Sequence, residues 1–92
     1  MSARILLIED DSSLATGLRR ILVAEGYDVT VEARGDAGLA RARAGAFDLV
    51  LTDLRMPGMD GIETIKKIRQ LEKYAHIPII LMTAFGREEL IV

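Results

Sequence analysis

L-V-L-T-D-L-R-M-P-G-M-D-G, residues Leu49 to Gly61, joins a short apolar run to a turn-forming loop through one carboxylate, Asp53. The run is too short for a helix and is rich in aliphatic side chains, which predicts a buried strand over Leu49–Thr52. Pro57, Gly58 and Gly61 predict a loop from Asp53 to Asp60. A carboxylate just past the end of a buried strand sits where open α/β sheets bind ligands. Asp53 is therefore the candidate chemical centre.

Working outward, Ile5–Ile8 is a second continuous aliphatic run, and its β-branched content favours a strand covered on both faces. Glu9, Asp10 and Asp11 follow it directly. Ser12 or Ser13 can cap the next helix, with Asp10 or Asp11 as competing caps. Leu14, Leu18, Ile21 and Leu22 form its apolar stripe, and Gly26 is placed to end it. Asp28–Ala33 alternates polar with apolar residues, as an edge strand with one wet face does. Gly35 and Asp36 open a second helix carrying Ala37, Leu39, Ala40 and Ala44, which Gly45 closes. Gly61 opens a third helix with Ile62, Ile65, Ile68 and Leu71 at every third residue. Lys66, Lys67, Arg69 and Glu72 form its wet face, and Lys73 is assigned to the same helix. His76, Ile77 and Pro78 make a turn, Ile79–Met82 a fourth strand, and Gly86 a break. Arg87–Val92 reads as the start of a fourth helix. The order β-α-β-α-β-α-β implies a parallel sheet with right-handed crossovers.

Composition narrows the function classes. Ninety-two residues make one domain, 1–92. Half are hydrophobic, enough for a core, and only 4% are aromatic, so that core is aliphatic. A net charge of -2 without basic runs offers no footprint for direct nucleic-acid contact. The absence of cysteine fits a reducing cytoplasm. No signal peptide precedes the first strand, and no apolar run approaches the ~20 residues that span a membrane.

In a parallel sheet all C-terminal strand ends share one edge. Glu9 and Asp10, Thr52 and Asp53, and Thr83 therefore converge. Clustered carboxylates repel one another unless a cation neutralises them, and an all-oxygen acidic site suits a magnesium ion, Mg2+. A carboxylate beside such an ion can attack phosphorus. Each residue alone has a plainer reading. Asp10 or Asp11 would be a helix cap, Thr83 a strand-end residue, Met56 and Met59 packing residues, and His76 an exposed turn residue. Gly35-x-x-Gly38 and Gly58-x-x-Gly61 are too sparse for a dinucleotide or P-loop fingerprint.

Taken together, I-L-L-I-E-D-D at 5–11, L-T-D-L-R-M-P-G-M-D-G at 51–61 and I-I-L-M-T-A at 79–84 resemble the receiver domain of bacterial two-component response regulators over essentially the whole chain. The D-x-x-M-P-x-M-D-G segment carries most of that resemblance. It implies a flavodoxin-like doubly wound α/β fold with four strands in the order 2-1-3-4, and three helices plus the start of a fourth. It also implies roles. Asp53 is the phosphoacceptor, taking a phosphoryl group from a sensor histidine kinase. Asp10 and Asp53 bind Mg2+ through carboxylates, Glu9 acts mostly through an ordered water, and Arg55 contributes its backbone carbonyl. Thr83 is the switch hydroxyl, and Pro57, Gly58 and Gly61 shape the loop. Such a domain is not a turnover enzyme.

The family continues with a fifth strand, bearing a lysine and an aromatic switch partner, and a fifth helix; the sequence ends at Val92 before either. This predicts impaired phosphoryl acceptance. It also leaves Ile79–Met82 as an apolar edge, which predicts a homodimer or segment-swapped oligomer. The alternative is a signalling-inactive truncated receiver that self-associates. A phosphohydrolase with an aspartyl nucleophile ranks last, because Arg55 stands where that chemistry wants a second acid.

Overall fold

Four aliphatic segments pair into one parallel sheet, in the order β2-β1-β3-β4. The computed structural model describes residues 2–54 and 58–82. In chain order the elements are β1 (Arg4–Ile8), α1 (Ser12–Ala24), β2 (Asp28–Glu32), α2 (Gly35–Ala44), β3 (Leu49–Asp53), α3 (Gly61–Arg69), a 3-10 turn (Glu72–Tyr74) and β4 (Ile79–Met82). This is the flavodoxin-like, doubly wound arrangement predicted above. The expected fourth helix at 87–92 lies outside the described residues. Among the described residues no helix is long and apolar enough to cross a membrane.

Register explains the burial pattern. Leu7 pairs with Val31 of β2 and with Leu51 of β3, and Leu51 pairs with Ile80. Alternate residues face opposite sides of the sheet. Leu6, Ile8 and Val50 meet Leu39 and Ala42 of α2, Ile68 of α3, and Phe47 and Tyr74 in the main core. Ile5 and Leu7 face the other side, where α1 packs, and β1 is buried from Ile5 onward. The strand predicted to be covered on both faces is thus central, and the alternating one, β2, is an edge.

Helix details differ from the prediction. Of the four candidate caps it is Asp11 that caps α1, its side chain accepting the Leu14 N–H at 3.0 Å, while Ser12 and Ser13 lie inside the helix. Ala15 is the buried residue of α1, whereas Leu14 and Ile21 are exposed. At about 100° per residue, Ala15, Leu18 and Leu22 share a face that Leu14 and Ile21 leave. In α2, Gly38, Leu39 and Ala42 are buried rather than Ala40 and Ala44. In α3 the every-third-residue pattern drifts by about 60° per step, so it cannot hold one face. Ile62 is exposed, Thr64 and Ile68 are buried, and the helix ends before Leu71.

Lys73 belongs to the 3-10 turn and not to α3. Its ammonium donates to the carbonyls of Arg43 at 2.8 Å and of Gly45, satisfying oxygens at the C-terminal end of α2. Tyr74 beside it is 1% exposed; its hydroxyl donates to the Ala42 carbonyl at 2.7 Å and accepts the Phe47 N–H at 3.4 Å. These contacts gather at the N-terminal edge of the sheet, opposite the carboxylates.

Candidate metal and phosphoacceptor site

The edge holding the C-terminal strand ends is assembled from main-chain geometry. Asp53 is the last residue of β3, not the first beyond it, and pairs with Met82 of β4. The ladder continues one step, with the Leu54 N–H donating to the Met82 carbonyl at 2.8 Å. The chain then leaves the sheet and returns at α3. There the Asp60 side chain caps the helix by accepting the Glu63 N–H at 2.9 Å, and the Thr64 hydroxyl donates to the Asp60 carbonyl at 2.7 Å. The Gly61 N–H closes the loop on the Leu54 carbonyl at 2.9 Å. The Gly61 α-carbon lies against the Asp53 carbonyl so closely that a Cβ has no space. Gly58, at φ 76, turns the loop through the left-handed region.

Glu9, Asp10 and Asp53 converge at this edge. One carboxylate oxygen from each lies within 4.8 Å of the others. Glu9 and Asp53 are buried and Asp10 is exposed. One Glu9 oxygen, Oε2, accepts the Asp11 N–H at 3.0 Å, while Oε1 is buried without a hydrogen-bond partner among the described residues. Burial first, and then the charge of Asp53, push the Glu9 carboxyl up to about 7, against the lowering effect of the Asp11 N–H.

These residues fit a divalent cation. The donors are all hard oxygens gathered within 4.8 Å of one another, and among the described residues one buried oxygen, Glu9 Oε1, has no hydrogen-bond partner. Of the other residues predicted for the site, Gly58 and Gly61 shape the loop, whereas Arg55, Met56, Pro57 and Thr83 lie outside the described residues. The residue not anticipated is Arg34, whose guanidinium lies against Gly58. A lone arginine before a glycine carries no signal that would single it out.

The family profile for the response regulator receiver domain matches residues 5–92. The transcriptional regulatory protein ZraR of Salmonella typhimurium is 46% identical over 85 residues, covering 92% of this chain and 19% of the relative. The chain spans less than half the length of the curated relatives it matches. Among solved structures, the chemotaxis response regulator CheY4 of Vibrio cholerae superposes with a TM-score of 0.91 at 31% identity, covering 99% of this chain and 76% of that one. The receiver domain of sensor histidine kinase PA1611 from Pseudomonas aeruginosa, solved with a magnesium ion coordinated in its active-site cleft, gives a TM-score of 0.89 at 33% identity, covering 96% and 72%. Profile, sequence relatives and fold agree with the acidic edge and its loop: the chain belongs to the response regulator receiver domain family.

Proposed function

We propose that this module accepts a phosphoryl group on Asp53 from the phosphohistidine of a sensor histidine kinase. The observation that carries the reading is the gathering of the Glu9, Asp10 and Asp53 carboxylates within 4.8 Å of one another. Glu9, Asp10 and Asp53, with the backbone carbonyl of Arg55, would hold magnesium, Glu9 mostly through an ordered water. The magnesium-bearing cleft of the PA1611 receiver supports that assignment. When bound, magnesium screens the carboxylate charge from the incoming phosphoryl group. A carboxylate oxygen of Asp53 forms the new bond to phosphorus as the donor's P–N bond breaks, and the electron pair and a proton end on the donor imidazole. Asp53 is fixed for this by its place in the β3–β4 ladder and by Gly61 behind its carbonyl. The Thr83 hydroxyl is assigned as the switch that reads the phosphoryl group. The setting is cytoplasmic, and the readout is a change in protein contacts, not turnover of a substrate.

The test is incubation with magnesium and acetyl phosphate followed by intact-mass measurement. A gain of one phosphoryl group that disappears in Asp53→Asn is expected. No gain, or an equal gain in the variant, overturns the reading.

A second reading, self-association, is favoured by β4. Ile80 is 49% and Leu81 38% exposed, on the sheet's outer strand among the described residues. An apolar edge of this kind pairs readily with another strand. Light scattering at micromolar concentration is expected to show a dimer, and a monodisperse monomer would count against it.

A further inference from the structure

We infer that Arg34 is a positioning residue for Gly58 and Met59, in the segment that leads into α3; the inference rests on the receiver reading, because that segment ends on Gly61, which lies against the main-chain carbonyl of the acceptor Asp53. Arg34 precedes α2 in extended conformation and makes no side-chain cap. Its guanidinium instead grips Asp36 at two points, Nε to Oδ1 at 3.0 Å and Nη2 to Oδ2 at 3.3 Å. Asp36 Oδ1 also accepts the Ala37 N–H at 2.8 Å, so the fork is tied to the first turn of the helix. This holds the guanidinium over Gly58, where a Cβ would lie 3.2 Å from Nη2.

The next residue makes a matching contact. A Cβ on Gly35 would lie 2.6 Å from the Met59 carbonyl oxygen and would meet the Thr64 hydroxyl. Two consecutive residues at the start of α2 therefore abut two consecutive residues of the loop. The loop is closed at its far end by the Gly61 N–H on the Leu54 carbonyl. Arg34 and Gly35 thus abut its Gly58–Met59 portion. Asp36 already balances the charge of Arg34, so the guanidinium acts as a wedge of fixed shape and not as a free cation. Lysine lacks the planar fork and cannot reproduce it. The pair is exposed, with more than half of each side chain accessible, so breaking it leaves the fold intact.

The experiment uses the full chain with Arg34→Ala, Arg34→Lys and Asp36→Asn. Amide hydrogen exchange is followed at Gly61 and Glu63, which are hydrogen-bonded in the loop and cap, and at Leu6 and Leu7 of β1 as a reference. Phosphorylation by acetyl phosphate with magnesium is timed in parallel. Expected is faster exchange at Gly61 and Glu63 by about tenfold, unchanged exchange in β1, and a several-fold slower phosphorylation. Arg34→Lys does not rescue, and Arg34→Ala with Asp36→Asn together is no worse than Arg34→Ala alone. Unchanged loop exchange, an equal rise in β1, or a faster loop with an unchanged phosphorylation rate overturns the inference. If the parent chain takes no phosphoryl group, the receiver reading falls, while loop exchange alone still decides what Arg34 holds in place.

Discussion

Glu9 Oε2 accepts the Asp11 backbone N–H at 3.0 Å, while the other oxygen of the same carboxylate is buried without a partner among the described residues. One hydrogen bond does not offset the burial, so the Glu9 carboxyl is raised from 4.5 to about 7. Between those values the folded chain holds a proton that the unfolded chain has lost. The stability contributed is fully present below about 4.5 and is lost as the pH rises through about 7. A shift of that size is worth on the order of 3 kcal/mol. The metal-free protein should therefore unfold at lower urea concentration at pH 7.5 than at pH 5, and Glu9→Gln should flatten the difference. Equal pH dependence in the two proteins would show that Glu9 is not its source.

Magnesium should act most strongly where Glu9 is ionised. A ligand that binds only the folded state adds about 2.7 kcal/mol at a hundred times its Kd. Thermal melts at pH 7.5 should shift upward with magnesium, and Asp10→Asn should reduce the shift. A midpoint that ignores magnesium in the parent chain would argue against a cation site at this edge.

Tyr74→Phe removes a buried hydroxyl and leaves the Ala42 carbonyl and the Phe47 N–H without that partner. The cost expected in urea unfolding is about 1–3 kcal/mol. Phosphorylation by acetyl phosphate should be unchanged in the folded fraction, because Tyr74 lies at the edge opposite the carboxylates.

Two glycine substitutions should move stability in opposite directions. Gly61→Ala drives a Cβ into the Asp53 carbonyl and should destabilise by about 1–3 kcal/mol while slowing phosphorylation. Gly17→Ala, in α1 with nothing within 4 Å of the added Cβ, should stabilise by roughly 0.5–1 kcal/mol. Circular-dichroism melts of the pair decide both, and a stable Gly61→Ala would mean that the β3–α3 connection yields more easily than its packing implies.

The sheet was legible because each strand carries its own pattern: unbroken aliphatic in β1, alternating in β2. Parallel order then carried Glu9, Asp10 and Asp53 to one edge without any knowledge of distances. What escaped depends on partners far away in sequence. Tyr74 drew no notice in the sequence, yet its hydroxyl bonds to residues 27 and 32 positions earlier. Ala15 is too small to stand out beside Leu14 and Ile21, yet it is the buried residue of α1. Thr64 lies off the every-third-residue isoleucine pattern, yet it is buried and its hydroxyl donates to the Asp60 carbonyl one turn back. Arg34 was invisible for the same reason, since its neighbour is a glycine of a distant loop.

The separation of the two sheet edges has a practical consequence. β1 runs from Arg4, beside Asp48, to Ile8, just before Glu9, a span of about 13 Å at roughly 3.3 Å per residue. His76 is exposed in the turn that leads into β4, at the Arg4 end. The chain contains no cysteine, so His76→Cys would give one reactive thiol for a dye or a surface tether. Such an attachment leaves the carboxylate edge facing solution, where a donor protein can reach it.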